Sequence, residues 1–211
     1  MIMIRNIIWD MDGTLFDTYP AIARAFKAAL HDFGKDAASE RIEGLARNSL
    51  GYCAATLAGE FSLDADAIGE KFNGRYSLIG LDAQPPFRGV KAVCEYICSF
   101  GGKNVIVTHR GREGTAQLLA AHNMAGYFAG YLTRDDGYPK KPNPAAFTAI
   151  IQIYDLKREE TIAVGDRDID ILAGQAAGLR TCLFGIKTDA VTADLTISDF
   201  DELYHYLALH G

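Results

Sequence analysis

The run Ile7-Ile8-Trp9-Asp10-Met11-Asp12-Gly13-Thr14-Leu15-Phe16-Asp17-Thr18 leaves this chain few folds to choose from. An apolar, strand-like segment breaks into two carboxylates one residue apart, then a glycine and a threonine. That is the pattern of a buried parallel strand carrying acids to its C-terminal end. In doubly wound α/β sheets, ligands bind at such ends. If extended backbone continues through Met11, the side chains of Asp10 and Asp12 share one side of the strand and Met11 turns into the core. Taken alone, Asp-Met-Asp-Gly is also an ordinary polar turn, so the rest of the chain has to decide.

After Thr18 the periodicity is helical. Pro20 opens a helix with Ile22, Phe26, Ala29, Leu30 and Phe33 at helical spacing, and Gly34 closes it. A second helix covers 37–47, and Asn48 or Ser49 caps a third running to about Gly59. Asp64 caps a fourth with Ile68, Phe72, Tyr76 and Ile79 on one face. The segment 80–89, with Pro85, Pro86, Gly80 and Gly89, reads as a return connection and a hinge. Strands and helices then alternate: helix 89–100, strand 103–108, helix 111–123, strand 129–133, helix 143–154, strand 161–165, helix 169–177 and strand 180–184. A short strand at Leu195–Ile197 follows, and an amphipathic helix over 199–209 turns Phe200, Leu203, Tyr204 and Leu207 inward. Alternation of this kind predicts an α/β fold, a doubly wound, Rossmann-like parallel sheet with right-handed crossovers. The expected division is an α/β core at 1–14 and 83–211, with an α-helical insert at 15–82.

Composition narrows the partners. With 211 residues, 49% of them hydrophobic, the chain can build a real core. A net charge of −6 offers no basic footprint for nucleic acid or an anionic membrane, so an anionic substrate needs local cations. The N-terminus lacks the pattern of a secretory signal, and no apolar run approaches the ~20 residues of a membrane span. Cys53, Cys94, Cys98 and Cys182 suggest reduced thiols and a cytoplasmic protein, and either a monomer or a homodimer is expected. Cys94 and Cys98 are four apart on an expected helix, but nothing completes a metal site around them, and they read as core.

Further chemistry-bearing residues gather at expected strand ends. Thr108 ends the strand 103–108 beside the amides of the next turn, a place suited to a phosphate oxygen. His109 and Arg110 follow it, as added positive charge at the rim or as solvated loop residues. The loop Tyr138-Pro139-Lys140-Lys141-Pro142 presents two lysines, of which adjacent positions seldom face the same way. The strand 161–165 runs into Asp166-Arg167-Asp168-Ile169-Asp170, a third acidic cluster, in which Asp168 can serve as a helix cap.

Together, Asp-x-Asp-Gly-Thr-Leu-x-Asp-Thr behind an apolar strand, Thr108 at a strand tip, Lys141 in Lys-Pro-x-Pro-x-x-Phe and the Gly165-Asp166-x-x-x-Asp170 spacing resemble the four motifs of the haloacid dehalogenase superfamily. The resemblance covers 4–14 and about 83–186. The helical insert is similar to the small cap of the superfamily's phosphoglycolate phosphatase and β-phosphoglucomutase branch. Where many relatives carry a small hydroxyl residue, this chain has Arg167.

The resemblance implies a Mg²⁺-dependent phosphatase acting on a small phosphate monoester. It assigns Asp10 as the nucleophile that becomes an aspartyl-phosphate, Asp12 as general acid and base, and Thr108 and Lys141 as holders of the phosphoryl group. It places Mg²⁺ on Asp10, Asp166 and the backbone carbonyl of Asp12, with Asp170 in support. Magnesium suits such hard oxygen donors. The presence of Asp12 favours ester hydrolysis or phosphoryl transfer over C–halogen or C–P cleavage. A sugar-phosphate mutase is the alternative within the superfamily, and a phospho-accepting receiver domain the alternative outside it. Substrate reading is expected from Arg47, in the cap segment Leu45–Ser49, or from Arg110 at the core rim, with the insert acting as a lid.

Overall fold

The computed structural model describes residues 3–185 and 190–209. Met1 and Ile2, at the start of the stretch considered for a signal, lie outside the described residues, as does position 186 at the end of the span carrying the family resemblance. The chain divides into two compact units, 1–16 with 86–211, and 17–85. The first unit keeps Leu15 and Phe16, which lie past the expected boundary at 14, because both are fully buried. The Leu15 carbonyl there accepts from the Phe87 amide, and Phe16 forms a bridge with Pro86.

The first unit opens with β1 (Asn6–Trp9), whose four residues are all buried. Ile7, Ile8 and Trp9 are sealed from solvent, as a strand covered on both faces requires. Trp9 keeps its indole N–H satisfied by donating to Asn104 Oδ1 at 3.0 Å.

The second unit consists of α1 (Tyr19–His31), α2 (Ser39–Asn48), α3 (Leu50–Phe61) and α4 (Ala65–Tyr76). Ser49 caps α3 by accepting from the Tyr52 amide, and Asp64 caps α4 by accepting from the Ala67 amide. Each such cap contributes about 1 kcal/mol. Gly34, at φ +68°, turns the chain after α1. Helix α1 stops at His31 and α4 at Tyr76, so Phe33 and Ile79 pack on this core from beyond the helix ends. Its centre is Phe26 stacked on Phe72, 4.1 Å between ring centroids, with Ile42, Leu57 and Ile68 around them. Burial of each such side chain is worth roughly 1.5–3 kcal/mol.

From Pro86 the first unit resumes with α5 (Val90–Ser99), β2 (Lys103–Val107), α6 (Arg112–Ala121), β3 (Phe128–Leu132), α7 (Ala145–Ile153), β4 (Thr161–Gly165), α8 (Asp168–Ala176), β5 (Arg180–Phe184), β6 (Leu195–Ile197) and α9 (Phe200–Leu209). The strands form one parallel sheet in the order β3-β2-β1-β4-β5-β6. Ile8 pairs with Val105 on one side and Ala163 on the other, and these side chains pack with Phe147 and Ile150 of α7 and Ala173 of α8. Trp9 meets Phe200 of α9 on the opposite face. Helices therefore cover both faces, as the alternation in sequence requires. No helix among the described residues is long and apolar enough to cross a membrane.

Candidate active site

The chain passes from β1 outward to β2 and β3 in one direction, and to β4, β5 and β6 in the other. The order reverses at β1, so the crevice for a ligand lies at the C-terminal ends of β1, β2 and β4. Asp10 follows β1, Thr108 follows β2, and Asp166 follows β4. The parallel ladder continues past the strand ends, since the Asp10 amide donates to the Val164 carbonyl at 2.8 Å and the Thr108 amide to that of Leu132 at 3.0 Å.

After Asp10 the backbone turns tightly. Met11 is fully buried, and its carbonyl accepts from the amides of Leu15 and Phe16, while Gly13 takes a φ of +83° that a side-chain-bearing residue rarely adopts. The Thr14 hydroxyl reaches Asp166 Oδ1 at 3.4 Å, tying this turn to the end of β4.

Lys141 occupies the centre. Its Nζ lies 2.5 Å from Asp10 Oδ1 and 2.7 Å from Asp170 Oδ1, with its side chain 1% exposed. Burial opposes the lysine's charge, but the two carboxylates outweigh it and hold the pKa above the ordinary lysine range. Burial likewise pushes the Asp10 carboxyl up to about 6, aided by Asp170 and opposed by Lys141 and Arg167. Lys140, its neighbour, is exposed.

Asp170 is placed by close approach. A Cβ on Gly165 would fall 2.2 Å from Asp170 Cβ, so the absence of a side chain at the end of β4 makes room for the carboxylate. Asp170 Oδ2 accepts from the Arg167 amide at 3.2 Å. Arg167 is the residue before the first turn of α8, and Asp168 is the first residue of the helix. The expected cap at Asp168 is thus displaced: Asp170 takes the orphan amide.

Oxygens of Asp10, Asp166 and Asp170 lie within 4.8 Å of one another. Asp10 Oδ2 is buried and has no hydrogen-bond partner among the described residues. An unpartnered carboxylate oxygen beside two further carboxylates is a costly arrangement unless a cation completes it. Three hard oxygen donors so close together fit Mg²⁺ chemistry.

The two residues after Thr108 differ from the solvated alternative. Arg110 has a side chain only 12% exposed, and its Nη2 lies 2.6 Å from Asp12 Oδ1, with Nε 3.2 Å from each carboxylate oxygen. The Arg110 amide donates to Thr108 Oγ1 at 3.0 Å. The His109 ring accepts at Nε2 from the Lys141 amide, 3.0 Å away, so its proton sits on Nδ1. Burial, then Lys141 and Arg167, lower the His109 pKa to about 4. Neither contact was visible in the sequence, and the only signal was a basic pair directly after a strand-terminal threonine.

Arg47 lies in the other unit, in the last turn of α2, with its guanidinium 4.2 Å from the centroid of the Tyr19 ring. Burial raises the pKa of nearby Asp17, and the Arg47 charge lowers it in part. Of the cysteines, Cys53, Cys94 and Cys182 are buried and Cys98 exposed, all as free thiols.

The chain is similar to known proteins over most of its length. A phosphoglycolate phosphatase of Vibrio parahaemolyticus is 30% identical over 184 residues, covering 83% of this chain and 81% of its own. One from Aquifex aeolicus is 28% identical over 215 residues, covering 98% of both. The crystal structure of a hydrolase from Streptococcus pneumoniae TIGR4 superposes with a TM-score of 0.67 at 27% identity, covering 98% of this chain and 100% of that one. The haloacid dehalogenase-like hydrolase family model matches residues 7–184, so the chain, with its acids and lysine gathered at the switch point of a parallel sheet, belongs to that family.

Proposed function

We propose that this protein is a Mg²⁺-dependent phosphatase that hydrolyses a small phosphate monoester through an aspartyl-phosphate on Asp10. The observation that carries the reading is the sealed Lys141–Asp10 contact of 2.5 Å, with the second Asp10 oxygen left unpartnered among the described residues beside Asp166 and Asp170. A structural salt bridge would satisfy both oxygens; a nucleophile keeps one free. The phosphoglycolate phosphatases among the relatives support ester hydrolysis.

Phosphate-monoester hydrolysis needs up to ~10²¹-fold acceleration, so several effects must act together. In the first step an Asp10 oxygen bonds to phosphorus as the bond to the leaving alcohol oxygen breaks, and Asp12 gives that oxygen a proton. In the second, Asp12 takes a proton from water, the water oxygen bonds to phosphorus, and the bond to Asp10 breaks, releasing inorganic phosphate. The Lys141 ammonium and the Thr108 hydroxyl stabilise the charge on the phosphoryl oxygens throughout. Asp10, Asp166 and the Asp12 carbonyl, supported by Asp170, would hold Mg²⁺, which would supply further positive charge to the site.

The test is a screen of phosphate monoesters with and without Mg²⁺, together with trapping by beryllium fluoride. Inorganic phosphate should appear only with the metal, and the fluoride adduct should map to Asp10 and vanish in Asp10→Asn. Full turnover in excess chelator, or an adduct on another residue, overturns the reading.

A further inference from the structure

Arg110 is a cation that the reaction just described does not use, and its setting is built rather than accidental. Its guanidinium grips both oxygens of Asp12, its amide is fixed to the Thr108 hydroxyl, and its carbonyl accepts from the Arg134 amide at 3.3 Å. Its stem runs over Gly114 of α6, where an added Cβ would already touch Arg110 Cγ and Cδ at 3.7 Å. The arginine is therefore held from three sides, and its contact with Asp12 is the bidentate kind that carboxylates and arginines form best.

That contact occupies the very carboxylate that must reach the leaving oxygen. A hydrogen bond to Asp12 places the leaving oxygen about 3 Å from it, and the guanidinium is already at such a distance, so the two lie within roughly 6 Å of each other. A carboxylate on the carbon next to the ester oxygen extends about 3 Å toward the guanidinium, enough for a new charge-assisted pair.

We propose that Arg110 is a substrate-gated latch: it holds Asp12 in the free protein and transfers its guanidinium to an anionic group on the leaving alcohol, releasing Asp12 to the leaving oxygen. The proposal rests on the phosphatase reading and adds to it the substrate class, phosphate monoesters with a second anion one carbon beyond the ester carbon's oxygen. An ester with an alkyl group in that place has nothing to exchange for Asp12, so the latch stays closed against it. Specificity then arises at the core itself, from a residue positioned by the turn after β2.

The experiment compares 2-phosphoglycolate with ethyl phosphate, which differ by a carboxylate against a methyl group, using wild type, Arg110→Gln and Arg110→Lys with Mg²⁺ present. Wild type should favour the carboxylate ester by about 100-fold in kcat/KM, the scale expected of a bidentate charged contact. Arg110→Gln should reduce that ratio at least about tenfold, and Arg110→Lys, which keeps the charge but loses the fork, should retain part of it. A ratio unaffected by Arg110→Gln, or a wild type without preference, overturns the latch while hydrolysis of either ester leaves the phosphatase reading standing. Hydrolysis of neither ester, nor of any other monoester, by wild type removes both. Because the readout is a ratio between two substrates of one protein sample, a general loss of folded protein cancels from it.

Discussion

Lys141 Nζ donates to Asp10 Oδ1 across 2.5 Å, with side-chain exposures of only 1% and 4%. A pair so sealed contributes little net stability as a pair, because desolvation offsets attraction, but losing one member leaves the other charge stranded. Lys141→Met should therefore cost about 3–5 kcal/mol, read from urea unfolding without divalent metal. It should also remove phosphatase turnover. A loss under 1 kcal/mol would show that the acids are not held as a charged pair.

The three carboxylates near that lysine make a second prediction. A cation held at Asp10 and Asp166, with Asp170 in support, would bind only the folded chain and so would stabilise it by mass action. At about 100 times its dissociation constant, Mg²⁺ should add roughly 2.7 kcal/mol, seen as a rise in Tm. Asp166→Asn should shift the required Mg²⁺ concentration upward by at least about tenfold. An unchanged Mg²⁺ response in that variant would place the cation elsewhere.

The strand ends were legible because their signal is local: an apolar run and the residue type that follows it. That suffices to set Asp10, Thr108 and Asp166 at neighbouring positions once the alternation of elements gives the sheet, and the expected bounds of the sheet unit's elements differ from the observed ones by no more than two residues. What sequence could not give depends on paths that meet from far apart. His109 finds its partner 32 residues on, and the Arg110 stem lies against Gly114 of α6. By residue type Asp168 can serve as a cap, yet the helix starts at Asp168 itself and the carboxylate two positions later accepts from the Arg167 amide.

Gly165 offers a test of that crowding. Its Cβ in Gly165→Ala would stand 2.2 Å from Asp170 Cβ and 2.6 Å from Cγ, neither of which is a flexible chain end. Asp170 or the start of α8 must move, at about 1–3 kcal/mol, the usual cost of overpacking. Because Asp170 also bonds Lys141, Mg²⁺ affinity and turnover should fall together with stability. A variant with native stability and metal affinity would mean that α8 shifts freely.

The acid side of the stability profile follows from His109. Its ring is neutral in the folded protein, with the pKa lowered to about 4 by burial and by the charges of Lys141, Arg167 and Lys140, against a partial opposing effect of Asp170. In the unfolded chain the same ring titrates near the ordinary ~6.5. Between those values the unfolded state binds the extra proton, so folding stability rises with pH across the window. The contribution is present above pH ~6.5 and is lost as the pH falls toward 4. Protonation also turns Nε2 from an acceptor into a donor facing the Lys141 amide, which breaks the 3.0 Å contact. Glutamine offers a carbonyl oxygen to that amide and does not titrate. His109→Gln should therefore be close to wild type at pH 7.5 and lose less stability than wild type between pH 6.5 and 4.5, as measured by urea midpoints at each pH. Because the prediction is a difference between two proteins, the titration of Asp10, whose raised pKa acts in the opposite direction, is common to both. Parallel stability profiles for the two proteins would show that His109 does not titrate with folding and that its contact with Lys141 survives acid.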